Sequence, residues 1–322
     1  MRIILYLFLL SVPLFSLFPE DGKKEIPKER IVFKRVLKKG DFFSCFARVD
    51  RTLEYTLALP GASRPIEKRD SLHLSLAGIL QIRGVNKKGQ AEKISLYISS
   101  ISGSRNGREL KSDEWRGREL LGDLSPALEQ GGARFHSPSL KRTLTPDEIH
   151  LFRALFPGGD STSLAAFTSP VLKLRKGETF PLQLTALEKS LAARKIAGQT
   201  EKPLTGMGEY QGRVRFRGID THKLRFNILS RKVPGYDLRY QAEILLPVKE
   251  ELGGALQIYR NGREFINKLI SSSNQFAAGA RLSQLISEEA SITLLPESSP
   301  DLPGRSPEKK AGFHQLLRPP QK

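Results

Sequence analysis

The residues of this chain best placed to do chemistry are cations at strand spacing. Arg213, Arg215 and Arg217 alternate with Val214 and Phe216. After Asp220-Thr221-His222, which reads as a turn, Lys223 and Arg225 alternate with Leu224, Phe226 and Ile228. Alternate residues of a strand share a face, about 7 Å apart. The pattern predicts a hairpin that turns Val214, Phe216, Leu224, Phe226 and Ile228 toward a core. The cations would then share the opposite face and repel one another, by about 1 kcal/mol per close pair once solvent screens them. An anion laid across them relieves that repulsion, and the planar guanidinium fork suits phosphate, sulfate or carboxylate. Arg213, Arg215, Arg217, Lys223 and Arg225 are therefore the candidate anion-binding residues. Charge on a solvated edge strand, which discourages aggregation, produces the same pattern.

Other chemistries find less support. His73, His136, His150, His222 and His314 are widely separated, and none shows His-x₃-His or His-Glu-x-x-His spacing. No metal ligand, cofactor site or catalytic residue is assigned. A Gly-x-Ser-x-Gly elbow is absent. Gly158-Gly159-Asp160-Ser161-Thr162 has no lysine and no strand before it, so it is a polar turn and not a phosphate loop. Asp113-Glu114 and Glu288-Glu289 are adjacent pairs, whose side chains diverge on any regular element. A site assembled from distant residues, bringing a histidine beside carboxylates, is the arrangement that would favour a hydrolase.

The elements that position these residues follow an apolar leader. Met1-Arg2 is a short basic start, and Ile3 to Phe18 then carries no charge. That is the layout of a secretory signal. The preferred expectation is cleavage, although Ser16 with Leu14 before it makes a poor site, and an uncleaved anchor is the alternative. Export would place the protein in the periplasm, the outer envelope or the extracellular space. The 322 residues carry a formal charge of +18. Outside the cytoplasm such an excess meets anionic lipid head groups or acidic polysaccharide sooner than nucleic acid. The single cysteine, Cys45, lies in Phe42-Phe43-Ser44-Cys45-Phe46-Ala47 and reads as a small buried hydrophobe; no internal disulfide can form.

From Ile31 the hydrophobic period is two. Leu53, Tyr55, Leu57 and Leu59 alternate with polar neighbours until Pro60-Gly61. Leu72, Leu74, Leu76, Leu80 and Ile82 share a phase, a turn follows at Asn86 to Gly89, and Ile94, Leu96 and Ile98 continue the pattern. These are antiparallel hairpins with one wet face. The second half repeats motifs of the first. Lys38-Lys39-Gly40-Asp41-Phe42-Phe43 resembles Arg175-Lys176-Gly177-Glu178-Thr179-Phe180, and Gly78 through Asn86 aligns with Gly212 through Asp220. Arg105-Asn106-Gly107-Arg108-Glu109 recurs as Arg260-Asn261-Gly262-Arg263-Glu264. The common order favours a duplication with altered loop lengths. Asn-Gly suits a type I′ turn, and the apolar flanks of Asn261-Gly262 make that copy the firmer hairpin.

Between the halves, Thr145-Pro146-Asp147-Glu148 is a helix start: Thr as N-cap, Pro at N1 and Glu at N3. Ile149, Phe152 and Phe156 follow at helical spacing until Pro157-Gly158. Further helices are expected near Leu187 to Ala192 and over 275–290. The expected organisation is a signal peptide over 1–18, a linker over 19–30, a β-rich half over 31–125 and a connector over 126–170 with its helix at 146–156. A second β-rich half follows over 171–295, then a Pro-rich disordered tail over 296–322.

The Gly-Asp/Glu-x-Phe openings, the hairpins and the Leu-Thr-Pro-Asp-Glu helix resemble those of uncharacterised secreted bacterial proteins with duplicated strand-rich halves. That resemblance implies no activity. The expectation is thus a mainly β protein of antiparallel hairpins with one or two short helices. Its expected role is a non-enzymatic binding or structural module with a basic face for anionic lipid or polysaccharide. The alternatives are a carrier of an apolar ligand in a β-lined cavity and a hydrolase without a motif.

Overall fold

A computed structural model describes residues 27–33, 37–87, 89–125, 133–156, 168–185, 188, 204–230, 235–252, 256–270 and 279–297. The expected leader, the helix near 187–192, the polar turn at 158–162 and all of the tail after Glu297 lie outside these residues. The strands are β1 (Glu29–Val32), β2 (Phe42–Ala58), β3 (Ile66–Val85), β4 (Ala91–Arg105), β5 (Arg108–Glu109), β6 (Glu119–Asp123), β7 (Arg134–His136), β8 (Val171–Leu174), β9 (Thr179–Pro181), β10 (Leu204–Phe216), β11 (Ile219–Ser230), β12 (Tyr236–Pro247), β13 (Gln257–Ile270) and β14 (Ala280–Glu297). The helices are the one-turn α1 (Ser112–Trp115) and α2 (Pro146–Leu155). The chain is mainly antiparallel β, as its period-two pattern dictates.

Twelve of the strands form one sheet in the order β7-β6-β4-β3-β2-β14-β13-β12-β11-β10-β9, with β5 attached to β4. Every pairing is antiparallel, and β1 pairs β8 in a separate two-stranded ribbon. Strands of both expected halves thus belong to a single sheet. They meet where β2 pairs β14 along its whole length, from Phe42↔Glu297 to Ala58↔Arg281.

One face of the sheet carries the core. Beside β2–β4 it buries Val49, Leu74, Leu76, Leu80, Leu96 and Ile98 under Trp115, Leu151 and Phe152 of the two helices. Beside β10–β12 it buries Leu224, Phe226, Ile244 and Leu246 under Ile31, Phe33 and Leu174 of the β1–β8 ribbon. Cys45 is fully buried on this face, and desolvation pushes its thiol up to about 12. It is the small inert hydrophobe that its neighbours imply.

The helix α2 starts where its sequence says it must. Thr145 Oγ1 accepts from the Glu148 amide and Glu148 reaches back to the Thr145 amide at 2.7 Å, a complete capping box. Glu148 does more than cap. Its buried carboxylate takes two bonds from Arg142, at 2.7 and 2.8 Å, and one from Trp115 Nε1 at 3.1 Å. Arg142 also clamps Glu114 of α1. Arg105, on β4, forks onto Asp70 and reaches Asp147 at 2.7 Å. Charge pairs thereby tie α2 to the sheet and the two helices to each other through Arg142, at the edges of an aromatic contact with Trp115 and Phe152 rings 5.0 Å apart.

Two expectations change. The segment expected to be helical over 275–290 is strand from Ala280 onward, because β14 finds a ladder partner on each side, β13 and β2. Tertiary pairing overrides its helix-like spacing of Leu282, Leu285 and Ile286. The two Asn-Gly copies exchange roles. Asn106 and Gly107, at φ 54° and 75°, make the tight turn between β4 and β5. Asn261-Gly262 runs through the middle of β13. There Gly262 lies opposite Tyr240, and a Cβ would meet that ring at 2.9 Å, so glycine is needed for packing and not for turning.

The duplication is not confirmed. The first motif pair does build the same turn twice: the Lys38 amide donates to Asp41 at 2.7 Å, and the Arg175 amide to Glu178 at 2.8 Å. The other two pairs occupy unlike places.

The reassigned Asn-Gly copies give a direct test. Asn106→Val should cost roughly 1 kcal/mol or more, since it forces a β-branched residue to positive φ and removes the Ser71 amide's partner. Asn261→Val, exposed in a strand, should stay within about 0.5 kcal/mol in the same denaturant titration. A second test concerns α2. Burial raises the Glu148 carboxyl, but hydrogen bonds from Arg142, the Thr145 amide and Trp115 outweigh it and hold the pKa below the ordinary carboxylate value. This stabilisation is present above the unfolded-state pKa and is lost as pH falls through the lower folded one. Glu148→Gln should destabilise by about 2 kcal/mol at neutral pH, below the ~3–5 kcal/mol of a wholly buried pair. The deficit relative to the parent should shrink on acidification.

Candidate functional site

The face opposite the core is polar through its central rows, although Ile79 and Leu245 are buried on it, and ladder register aligns its side chains in rows. Residues directly opposite in an antiparallel pair point to the same side. One row runs Met207–Asn227–Gln241–Asn261–Glu289–Asp50–His73–Ser104, across β10, β11, β12, β13, β14, β2, β3 and β4. The part from Asn261 to Ser104 lines a groove of about 390 Å³, with Thr52, Ser71 and Ser287 from the next row. The groove lies over the β2–β14 junction.

His73 Nδ1 and Asp50 Oδ1 are 2.5 Å apart, and Arg48 donates to the other Asp50 oxygen at 2.8 Å. Partial burial raises the Asp50 carboxyl, while the bonds from His73 and Arg48 outweigh it and hold its pKa below the usual value. Asp50 bonded to Nδ1 fixes the imidazole so that its Nε2 is the free nitrogen. Glu289 stands directly opposite Asp50, two carboxylates facing each other across the ladder. Its neighbour Glu288 points to the core face and pairs with Arg260 at 2.9 Å, the divergence expected of adjacent acids. The groove thus offers carboxylate acceptors, an imidazole, an amide and a ring of hydroxyls, an assembly suited to hydrogen-bonding a polar, hydroxyl-rich molecule.

A histidine beside carboxylates in a cleft is the arrangement expected of a hydrolase, and Ser104 sits opposite His73. Oxyanion stabilisation is usually the largest catalytic contribution, and it requires amides aimed at the reacting oxygen. Here the backbone amides of β3 and β4 run along the sheet into their own ladder.

The predicted cations are arranged differently from their sequence pattern. The hairpin turns at Arg217-Gly218, both at positive φ, with Phe216 opposite Ile219. Asp220, Thr221 and His222 are ladder residues. A bulge between Tyr210 and Gly212 inserts one residue and reverses the phase of β10. Arg213 and Arg215 consequently share the core side with His222 and Asp220, while Lys223 and Arg225 point to the polar face. Val214 does not enter the core: it is 36% exposed. Resident carboxylates already answer much of the charge. Arg213 pairs with Glu29 of β1, and Lys223 and Arg225 both reach Glu243 at 3.2 Å. Arg217 reaches over the ring of Phe46, on β2, at 5.4 Å.

The other described histidines stay apart, and His314 lies outside the described residues. His222 is buried against the Tyr210 hydroxyl at 3.1 Å, His136 is exposed on β7, and burial depresses the pKa of His150 on α2. Among the described residues no group of three or more His, Cys, Asp or Glu can hold a metal ion, and no helix is long and apolar enough to cross a membrane. Sequence spacing gave no sign of the groove, whose members are distant in the chain. The one available signal was that polar residues alternate in phase through β2, β3 and β4.

No family model and no curated protein matches this chain. Solved structures give distant likenesses. A lipovitellin structure described by its lipid–protein interactions has a TM-score of 0.35 and 12% identity over 86% of this chain. The chain spans 27% of that protein's length. A DUF1329 family protein from Desulfovibrio piger has a TM-score of 0.20 and 10% identity, covering 79% of this chain and 87% of its own. DynF from the dynemicin biosynthesis pathway of Micromonospora chersina has a TM-score of 0.14 and 8% identity, over 88% and 95% of the two chains. Likeness at these scores carries no functional argument.

The Asp50–His73 contact is open to titration. His73→Ala removes one of the two bonds holding the Asp50 carboxyl down, so its pKa should rise toward the ordinary carboxylate value. Carboxyl-carbon NMR titration of parent and variant reads this, and an unmoved Asp50 would refute the pairing.

Proposed function

We propose that this protein is an exported binding module, and that the groove over the β2–β14 junction seats a polar, hydroxyl-rich ligand such as a segment of envelope polysaccharide. The observation that carries this reading is the row Asn261–Glu289–Asp50–His73–Ser104, directly paired across five adjacent strands and facing a common groove. Hydroxyl-rich ligands are recognised by groups that accept and donate in alternation, and carboxylate, imidazole, amide and serine together do both. A volume of about 390 Å³ falls at the small end of ligand sites. The lining is mostly polar side chains with Leu72 among them, which favours a polar ligand over the apolar cargo of the carrier reading. The uncharged run from Ile3 to Phe18 supports export, which brings envelope glycans within reach.

The test is a titration with soluble oligosaccharides prepared from bacterial envelope polymers, read by saturation-transfer NMR. Asp50→Asn and His73→Ala should each weaken binding about tenfold, as loss of one charge-assisted hydrogen bond does. Circular dichroism should stay unchanged, since both side chains lie on the wet face. Equal affinity in parent and variants would remove the groove from the binding site.

A further inference from the structure

A second site lies on the same polar face, beside the groove. Arg239 of β12 stands directly opposite Arg263 of β13. Like charges in that relation destabilise a sheet unless something offsets them. Arg239 has a loose contact with Asp237 at 3.5 Å, its side chain remaining 74% exposed. Arg263 is exposed, and among the described residues no carboxylate lies within ion-pair distance of it. Glu243, by comparison, contacts both Lys223 and Arg225 at 3.2 Å, whereas Asp237 contacts only Arg239. Apolar side chains flank the pair on two sides, among the polar neighbours Asp237, Gln241, Asn261 and Ser287. Leu229 is the ladder neighbour of Arg239 and is 47% exposed. Phe265, two residues beyond Arg263 on the same face, is 36% exposed, and Met207, diagonal to Leu229, is 43% exposed. These are three of the large hydrophobic side chains most exposed on the described surface.

We propose that Arg239 and Arg263, with Leu229, Phe265 and Met207, form a docking patch for an anionic membrane surface. Two adjacent guanidinium groups bind the phosphates of lipid head groups, and the flanking side chains enter the boundary with the acyl chains. The charge requirement decides between this occupant and a protein partner. A cationic pair that a single exposed carboxylate answers only in part, set beside separate apolar tips, matches an interface that supplies phosphate and hydrocarbon together. The patch adjoins the groove, because Ser287 lines the groove and is the ladder partner of Arg263. Docking here holds the groove close to the lipid surface. The patch does not depend on what the groove binds.

The experiment is cosedimentation of the protein with phosphatidylcholine vesicles, plain or containing phosphatidylglycerol. Binding should require the anionic lipid and weaken as salt is raised. Arg239→Glu with Arg263→Glu should lower the vesicle affinity at least about tenfold. Leu229→Ser with Phe265→Ser should lower it while leaving the salt dependence in place. Asp50→Asn should leave vesicle binding unchanged, which separates this proposal from the groove reading. Excess inorganic phosphate should compete weakly; full displacement by it would mean a free-phosphate site and overturn membrane docking. Unchanged binding in the Arg239/Arg263 variant, or loss only when Arg213, Arg215 and Arg217 are reversed to Glu, would likewise overturn the assignment.

Discussion

The pairing of β2 with β14 is the constraint on which this structure depends. The two strands lie near opposite ends of the described chain and match residue for residue from Phe42↔Glu297 to Ala58↔Arg281. Neither half can complete its sheet without the other, because β2 and β14 would otherwise be long exposed edges. The pairing also spends its loop-closure entropy over more than two hundred residues of intervening chain. Such a contact makes folding slow and cooperative. It also creates the groove, since Asp50 and Glu289 face each other only across this junction.

The two faces divide the work. The core face is closed by different covers at its two ends, helices over β2–β4 and the β1–β8 ribbon over β10–β12. Charge fixes these covers at their margins: Arg142 with Glu114 and Glu148, Arg105 with Asp70 and Asp147, and Arg213 with Glu29. Among the described residues the polar face bears no such cover over its central rows. Its groups are left to water or to a ligand, which is why both proposed sites lie on it.

Much of the fold was legible in the chain. Period-two alternation marked β2, β3, β4 and β11, and the Thr145 to Glu148 signature marked the start of α2 to the residue. The errors share a cause: each is a place where a partner strand, and not the local sequence, sets the outcome. Asn261-Gly262 has a turn's sequence but packs Gly262 beneath Tyr240 in mid-strand. Arg213 and Arg215 keep the alternation of Lys223 and Arg225, yet one bulged residue moves them to the other face. The helix-like spacing in β14 yields to two neighbouring ladders. The groove left almost no trace, since Asp50, His73, Ser104, Asn261 and Glu289 have no common motif and acquire meaning only in register.

By itself the sequence determined the class of structure, the burial of Cys45 and the capped helix, because these rest on local periodicity, composition and side-chain-to-backbone bonding. Tertiary structure alone decided which cations stand together, which Asn-Gly turns the chain, and which polar residues line a common groove. The physical reason is that cross-strand register relates residues far apart in the chain, and a shift of one residue exchanges the two faces of a sheet.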